Sequence, residues 1–387
     1  MLPDIFLSTP FIGVYIVLGL CLMIQLIYHL SLYNRIPAAQ KKQKEVSQEY
    51  PPLSIILCVE NQVEYLRENI SSILQQDYPN FEVIVVDIAS DDGTKEYLEY
   101  LEENHDNLYF SFTPESARFI SRRKLAQTIG IKASKYDWLV FTEIDSKPIS
   151  NQWLKKLAGH FIQGTDIVLG YSKYRTEKTW INRFTSYDSL ILKLRYLGMA
   201  LKNKPYMGQG RNMAYRKSVF FQEKAFSNQL NLQRGEDELF LNQNVNSTNT
   251  RVELSPESII EMEPIKRKKD WKLQKQSHLL SVQRFKGNKQ YWMGLETTTR
   301  LLLYALGLPL FIYSLITLTW QVSLLTFLCF LLRWVVQFLT INRTAKVMTE
   351  GRRFYFSLPL LDILLPLNNF LIRLKMPRKG RGDILKI

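Results

Sequence analysis

Acidic side chains follow several apolar runs of this sequence, at positions where they could do chemistry. Glu60 follows one run, Asp87 ends the next, Glu143 and Asp145 follow a later one, and residues 236–238 read Glu-Asp-Glu. Carboxylate oxygens bind hard divalent cations, which can neutralise a departing diphosphate. A separate carboxylate can accept the proton of an attacking hydroxyl group. The pattern therefore predicts a site that combines a metal ion with a general base.

Alternating strands and helices must position these carboxylates. Short apolar runs predict strands, and apolar residues spaced three or four apart predict the helices between them. The predicted strands are 53–59, 81–87, 107–112 and 138–144, and the predicted helices are 62–76, 92–103 and 118–134. This order indicates an α/β domain with a mostly parallel sheet that binds ligands at the carboxyl ends of its strands. A role as a helix cap or in a solvated turn better explains any single acidic residue. It does not explain why these acidic residues recur at the ends of successive predicted strands.

Charge is distributed unevenly along the 387 residues. The net charge of +14 and the pI of about 9.5 suggest, by themselves, a nucleic-acid or anionic-surface partner. Residues 51–263 nevertheless carry 25 basic and 28 acidic side chains, whereas 264–300 carry a net +8 and 341–387 a net +7. The central block therefore does not resemble a nucleic-acid-binding domain. The hydrophobic content of 46% excludes disorder, and three cysteines exclude a disulfide scaffold.

Long apolar runs flank the central block. Residues 11–28, 301–319 and 324–341 are each about long enough to cross a bilayer. Basic residues follow the first run and lie at the two outer ends of the pair formed by the other two, so the positive-inside rule places the central block in the cytoplasm. The predicted parts are an N-terminal transmembrane anchor over 1–34, a cytoplasmic domain over 51–263 and a transmembrane hairpin over 301–341.

A fourth apolar stretch, 354–373, is interrupted by prolines, asparagines and Asp362. A full crossing would place the basic tail, 374–387, outside the cell and against the charge rule. A re-entrant or interfacial helix is therefore preferred to another transmembrane segment. Arg333 lies in the apolar run before this stretch, where it either grips a lipid phosphate or extends to the cytoplasmic surface.

The segment 264–300 combines a basic run with a helical apolar pattern. Residues that share one face at the 3.6-residue period are Trp271, Gln274, His278, Val282 and Phe285. We expect an amphipathic helix at the anionic inner leaflet. It is either an interfacial anchor only or also a gate, in which Gln274 and His278 close over the donor site.

Several motifs occur in the order in which one enzyme family carries them. They are SIILCVEN at 54–61, QDYPNFEVIVVD at 76–87, SDDGT at 90–94, KLAQTIGIKA at 124–133, FTEID at 141–145, GQGRNMAYR at 208–216 and GEDELF at 235–240. Through these motifs, residues 52–290 resemble glycosyltransferase family 2, the inverting enzymes with a GT-A fold. The resemblance implies a Rossmann-like, mostly parallel catalytic domain, here flanked by N- and C-terminal transmembrane helices.

The resemblance also implies a metal-assisted, inverting mechanism. Asp237 would be the general base that deprotonates the acceptor. Asp145 would be the main ligand of Mg²⁺ or Mn²⁺, and Glu143 would assist it. The metal and nearby cations would stabilise the charge that develops on the leaving diphosphate.

Donor and acceptor contacts are implied in the same way. A UDP- or GDP-sugar would place its base and ribose against Val59, Glu60 and Asp87. Lys124 would face its diphosphate. The acceptor-side and gating residues would be Gly210, Arg211, Asn212, Glu236, Gln274 and His278.

Three positions depart from the family pattern. Ile88 stands where a second Asp is common, which removes one polar contact to the nucleotide. Glu143 replaces an Asp and is one methylene longer. The Gln-x-x-Arg-Trp motif of processive polysaccharide synthases keeps only Gln274, with His278 in the place of the Trp. The last departure argues against a cellulose- or hyaluronan-type synthase.

We therefore expect a multi-pass enzyme of the bacterial inner membrane that transfers a sugar to a lipid-linked or glycan hydroxyl during cell-envelope polysaccharide or glycolipid assembly. A polyprenyl-phosphate glycosyl synthase is the nearest alternative. A non-catalytic membrane scaffold that binds nucleotide sugars is an alternative of another class. The expected partners are the nucleotide sugar, the acceptor and membrane lipids, and nucleic acid is not among them.

Overall fold

The structure, a computed structural model, describes residues 9–41, 49–114, 121–222 and 236–376. Within these residues, ten strands form a seven-stranded sheet, ordered β3-β2-β1-β4-β8-β6-β9, and a three-stranded sheet, ordered β5-β10-β7. The strands are β1 (Leu53–Val59), β2 (Phe81–Asp87), β3 (Leu108–Phe112), β4 (Trp138–Phe141), β5 (Ser146–Pro148), β6 (Ile167–Leu169), β7 (Ser172–Tyr174), β8 (Met213–Arg216), β9 (Thr250–Val252) and β10 (Ile260–Met262).

The larger sheet is mostly parallel, as the sequence predicts. β1 pairs in parallel with β2 and β4, β2 pairs in parallel with β3, and β6 pairs in parallel with β9. β8 alone is antiparallel to its neighbours, β4 and β6. The register aligns Val59 with Asp87, so the ends of β1 and β2 lie side by side. The predicted carboxylates therefore gather at one edge of the sheet, where parallel α/β sheets bind ligands.

The described residues also form thirteen α-helices. They are α1 (Thr9–Ile27), α2 (Arg35–Gln40), α3 (Val63–Leu74), α4 (Thr94–Asn104), α5 (Arg122–Ala133), α6 (Trp153–Ala158), α7 (Trp180–Ala200), α8 (Lys217–Gln222), α9 (Glu236–Asn244), α10 (Lys268–Arg284), α11 (Lys289–Ile316), α12 (Trp320–Val347) and α13 (Leu358–Lys375). α3 and α4 cover one face of the larger sheet, and α5 and α7 cover the other. Because strand side chains alternate between faces, Ile55 and Leu57 pack with α3 while Ile56 packs with α5.

Three helical segments are long and apolar enough to span a membrane. They are Phe11–Gln40, Lys289–Ile316 and Trp320–Val347. The first joins α1 to α2 through a π-helical turn, Tyr28–Tyr33. α1 packs on α11, and α11 packs on α12. α13 is not one of the three, and it packs against α7, α10 and α11.

Charged and polar side chains join these helices in what we call the bundle network: Gln25, Arg195, Glu296, Arg300, Tyr304, Arg333, Gln337 and Asp362. Asp362 is its centre. One carboxylate oxygen accepts from Gln337 Nε2 at 2.7 Å and Arg300 Nη1 at 3.1 Å, and the other from Tyr304 Oη at 2.6 Å and Arg333 Nη1 at 2.7 Å. Arg300 also faces Glu296, which is ion-paired with Arg195 on α7. Arg333 is therefore neither a surface residue nor a lipid ligand here, because Asp362 holds it between helices.

α10 differs from the predicted amphipathic face. Trp271 and Lys275 are buried, four residues apart, and both bond to Asp188 of α7, through Nε1 at 2.8 Å and Nζ at 2.5 Å. Gln274 is exposed instead. The apolar side of α10 thus packs on protein, since α9 and α13 also contact it.

The predicted boundaries fit best where the apolar runs are longest. β1 and β2 begin and end at the predicted residues, whereas β4 ends at Phe141, three residues early. Residues 115–120 of the predicted third helix, residue Gly235 of the acceptor-side motif, and 377–387 of the basic tail lie outside the described residues.

Candidate active site

The ends of β1 and β2 form the predicted donor side of the site. Asp87 accepts two hydrogen bonds from Ser90, from the backbone N–H at 3.2 Å and from the hydroxyl at 2.5 Å. The backbone N–H of Asn61 donates to the same hydroxyl at 2.8 Å. Asn61 has φ +51°, a left-handed conformation that asparagine tolerates well. The loops after β1 and β2 are thus tied together, with Asp87 fixed between them and Glu60 exposed at the rim.

Lys124 and Ile88 show how this side is built. Lys124 lies in the first turn of α5, is 1% exposed, and follows the helix cap Ser121, whose hydroxyl accepts the Lys124 N–H. Ile88 packs in the apolar core and donates its backbone N–H to Val59 O at 2.8 Å. An Asp at position 88 would bury a charge in that core. The apolar surroundings of position 88 therefore explain why this chain departs from the family pattern there.

The carboxylates of the predicted metal motif meet one arginine. Arg211 Nη2 lies 2.7 Å from Glu143 Oε2, and Arg211 Nη1 lies 2.7 Å from Asp145 Oδ1. Arg123 Nη2 lies 2.5 Å from the other oxygen of Glu143. The sequence placed Arg211 with the acceptor, whereas the structure places its guanidinium between the two carboxylates.

These contacts set the charge state of the motif. Burial alone would raise the pKa of the Asp145 carboxyl, but the charge and hydrogen bond of Arg211, helped by Ser146, hold it below its usual value. Burial alone would lower the pKa of Arg211, yet Asp145 and Glu143 raise it. Asp145 is therefore ionised at neutral pH and is a ready ligand for a cation.

Asp237, the predicted base, lies in the first turn of α9 and faces α5. Gln127 Nε2 donates to its Oδ1 at 3.0 Å. A Cβ at position 210 would overlap Asp237 Oδ2, so only glycine permits this approach. Gly210 therefore lies against Asp237, and the next residue, Arg211, extends its guanidinium to Asp145, so adjacent residues of one segment contact the predicted base and the predicted metal motif.

Three residues in this arrangement escaped the sequence interpretation: Gln127, Arg123 and Ser90. Gln127 is one helical turn after Lys124, and Arg123 immediately precedes Lys124. Residues three or four apart share a helix face, so the period of α5 could have brought Gln127 to the same site. Arg123 gave no such signal, because its partner Glu143 is twenty residues away.

Asn212, another predicted acceptor-side residue, holds the framework. Asn212 is buried; its Nδ2 donates to Tyr171 O at 2.7 Å and Ser258 O at 2.8 Å, and its Oδ1 accepts from Trp153. It therefore joins three separate segments of the chain. Glu236 begins α9, and the orientation of its side chain lies outside what the structure describes.

Gln274 and His278 connect α10 to the domain. Tyr174 Oη donates to Gln274 Oε1 at 3.3 Å. His278 Nδ1 lies 2.9 and 3.0 Å from the two carboxylate oxygens of Glu238, the residue after Asp237. His278 thus connects the helix of the predicted gate to the helix of the predicted base.

The sequence of this folded segment matches a known family. Residues 54–221 match the profile of Glycosyl transferase family 2. This segment of the chain is therefore a glycosyltransferase family 2 domain. The match contains the donor-side loops, the Glu143–Asp145 motif and Arg211, and it ends before Asp237.

Curated relatives of this chain align with it over part of their length. Glycosyltransferase AglE from Haloferax volcanii is 30% identical over 151 residues, which cover 37% of this chain and 47% of AglE. A poly-beta-1,6-N-acetyl-D-glucosamine synthase from Staphylococcus epidermidis is 27% identical over 115 residues, 30% of this chain and 26% of the synthase. The chain spans less than half the length of either relative.

A solved structure shares the fold. The mannosyltransferase PcManGT from Pyrobaculum calidifontis, solved with GDP-Man and Mn²⁺, superposes with a TM-score of 0.56. The superposition covers 87% of this chain and 100% of that one, at 13% sequence identity. The fold likeness thus extends well beyond the family 2 segment.

The residues of the motif fit a divalent cation in donor type. Glu143 and Asp145 offer hard carboxylate oxygens, which Mg²⁺ and Mn²⁺ prefer. No third His, Cys, Asp or Glu side chain completes a cluster with them in the part of the chain that the structure describes. A cation at this family 2 motif would therefore take further oxygens from water or from the donor diphosphate, and it would compete with Arg211 for the two carboxylates.

Proposed function

We propose that this protein is a membrane-bound inverting glycosyltransferase. It transfers a sugar from a UDP- or GDP-sugar to a hydroxyl of a lipid-linked or glycan acceptor, at the inner face of a bacterial cytoplasmic membrane. The supporting observation is that adjacent residues contact both predicted groups, Gly210 lying against Asp237 and Arg211 bonding to Glu143 and Asp145. Transfer needs a base and a diphosphate-binding site that face the same reacting carbon.

The donor side supplies charge stabilisation. Glu143 and Asp145 would hold Mg²⁺ or Mn²⁺, which would neutralise the departing diphosphate. Arg211 and Arg123 are already positioned on these carboxylates and bring two further cations to the same place. Cations fixed where charge develops are usually the largest contribution to catalysis.

Asp237 supplies proton transfer. The acceptor oxygen forms a bond to the anomeric carbon while the bond from that carbon to the diphosphate oxygen breaks and its electron pair leaves with the diphosphate. Asp237 takes the hydroxyl proton as the new bond forms. Gln127 fixes the orientation of the carboxylate. One displacement of this kind inverts the anomeric configuration.

Replacing Asp237 with Asn tests the role of the base. The full chain, purified in nanodiscs, is incubated with a panel of UDP- and GDP-sugars and membrane lipid extract, and nucleoside diphosphate release and transfer are measured. We expect Asp237→Asn to lower kcat by about 10²-fold or more while donor-induced thermal stabilisation stays unchanged. Asp106→Asn, an exposed acidic residue, is the matched control and should behave as the wild type.

The competing functions give different outcomes. A phosphate acceptor, as in a polyprenyl-phosphate glycosyl synthase, is already largely ionised at neutral pH, so Asp237→Asn would then cost little. A non-catalytic scaffold would bind a nucleotide sugar without transfer or hydrolysis in either protein. Inversion is checked separately, from the anomeric configuration of the product by NMR.

A further inference from the structure

Four basic side chains converge where the catalytic domain meets the apolar helices. We call Arg35, Lys202, Lys204 and Lys289 the basic cluster. Arg35 begins α2, Lys202 and Lys204 lie in the turn after α7, and Lys289 begins α11. Three separate parts of the chain thus contribute to one patch.

Hydrogen bonds hold these parts together. Arg35 Nη1 donates to Leu201 O at 3.4 Å, Lys202 Nζ donates to Ser31 Oγ, and Lys289 Nζ donates to Pro205 O at 2.7 Å. Lys202 and Lys289 are half-buried by these contacts. The basic cluster therefore has a defined geometry, unlike the exposed basic run at 266–269.

The cluster has no protein counter-ion among the residues that the structure describes. Arg35, Lys202 and Lys289 bond to two backbone carbonyls and one hydroxyl, Lys204 faces the Trp292 ring, and no described carboxylate lies within ion-pair distance of any of them. Burial, and then the charges of Arg35 and Lys204, lower the pKa of the Lys202 ammonium. Like charges held this close repel one another, and a bound anion relieves that repulsion.

Aromatic side chains place the cluster at a lipid headgroup level. Tyr291 and Trp292 are 70% and 54% exposed on α11, and Lys204 Nζ lies 5.8 Å from the centre of the Trp292 ring. Tyr28 Oη donates to Trp292 O at 2.5 Å, which ties α11 to the end of α1. Exposed Trp and Tyr beside an apolar span are typical of the membrane–water interface.

The same turn leads directly into the active site. Lys204 is six residues before Gly210, and an extended chain of that length reaches at most about 20 Å. Between them, Tyr206 and Met207 are buried, and Asn242 Nδ2 on α9 donates to Tyr206 O at 2.7 Å. A short, partly buried stretch of chain that is also bonded to α9 therefore joins the basic cluster to Gly210, which lies against Asp237.

We propose that the basic cluster binds the phosphate or diphosphate that joins the lipid of a lipid-linked acceptor to its sugar. The lipid chain then lies along α1 and α11, and the sugar hydroxyl is presented to Asp237. The inference rests on the proposed function, since it names the acceptor class of that same site. A simple electrostatic anchor would not need Lys202 and Lys289 to be fixed by hydrogen bonds.

Direct binding tests the proposal without requiring transfer. The full chain in detergent is titrated with geranylgeranyl diphosphate and with geranylgeraniol, the uncharged form of the same lipid, and the shift in melting temperature is recorded. We expect stabilisation by the diphosphate only. The Lys202→Gln/Lys204→Gln variant should weaken that binding at least tenfold. Lys204→Gln alone changes an exposed side chain, so it should fold normally and still weaken the binding.

A matched variant separates a site from a charged surface. Lys268→Gln/Lys269→Gln removes the same charge from the exposed basic run and should bind the diphosphate within twofold of the wild type. Equal weakening by both double variants, or unchanged binding by Lys202→Gln/Lys204→Gln and Lys204→Gln, overturns the proposal. Tighter binding of inorganic diphosphate than of the lipid diphosphate also overturns it, in favour of a free anion.

The two proposals can fail separately. Asp237→Asn should bind geranylgeranyl diphosphate as the wild type does, because Asp237 is outside the basic cluster. If that binding is normal but no nucleotide sugar is turned over by the wild type, the binding site stands and the proposed function falls.

Discussion

The carboxylate site, formed by Glu143, Asp145 and Arg211, and the bundle network both pair arginines with carboxylates, but they differ in their exposure to solvent. In the first, Glu143, Asp145 and Arg211 each keep about a fifth of their side chains exposed. In the second, Arg333 and Asp362 are 2% and 0% exposed, and both Asp362 oxygens are fully bonded by protein. A carboxylate held by one partly exposed guanidinium can exchange it for another cation, whereas a buried, fully bonded one cannot. Access, and not residue type, separates a reactive site from a structural one.

The largest expected effect on stability comes from a substitution that breaks the bundle network. Asp362→Asn leaves Arg333 and Arg300 buried without their shared charge, and loss of one partner of a buried pair costs about 3–5 kcal/mol. We expect a much lower melting temperature and aggregation of the purified chain. The double variant Arg333→Met/Asp362→Leu removes both charges and should recover much of the loss. Melting of Asp362→Asn at the wild-type temperature would show that the network is not structural.

The same kind of change in the carboxylate site should affect rate and spare stability. Asp145→Ala is expected to lower kcat by about 10²–10³-fold, and a chelator should do the same to the wild type. The melting temperature should stay unchanged, because Arg211 retains its ion pair with Glu143. Asp137→Ala, which breaks the exposed pair with Arg216, is the control and should leave the rate unchanged. Full activity of Asp145→Ala, or activity unaffected by chelator, would rule out the metal.

Gly210→Ala sharpens the comparison without removing a charge. The new methyl group overlaps Asp237 Oδ2 and must displace the carboxylate, and a displacement of about 1 Å costs up to roughly 10²-fold in rate. We expect lower kcat with little change in donor KM. Gly294→Ala, where nothing lies within 4 Å, is the matched control. Equal rates in the two variants would mean that the position of Asp237 does not limit transfer.

The smallest effect concerns Lys193, a buried lysine of α7. Burial, partly offset by Glu350, lowers its pKa to about 8. An unfolded lysine has a pKa of about 10.4, so between these values the unfolded chain binds more protons and stability rises with pH. Lys193→Met should abolish that rise in melting temperature between pH 8 and 10, whereas Lys95→Met, at an exposed site, should retain it. A slope that persists in Lys193→Met would assign it to another group.

The sequence was a good guide where short-range patterns decide the structure. β1 and β2 follow from uninterrupted apolar runs, and the carboxylates at their ends follow from the geometry of a parallel sheet. Contacts between distant residues were not predictable in this way. The partner of Arg211 lies 66 residues away, and Asp362 meets Arg300 across 62 residues. On α10, the sequence pattern assigned Gln274 to the buried face, but its charged neighbour Lys275 is buried instead. Lys275 can be buried because it is paired with Asp188.

The order of the bundle network along the chain has a consequence for biogenesis. Arg300 and Arg333 precede Asp362, so during synthesis both guanidinium groups leave the ribosome before the carboxylate that joins them exists. At that stage Arg300 has Glu296, one turn earlier in the same helix, while Arg333 has only neutral partners from the network, Gln25, Tyr304 and Gln337. Asp362 is therefore the last charged member of the bundle network to be synthesised, so the network can close only after residue 362 has been made.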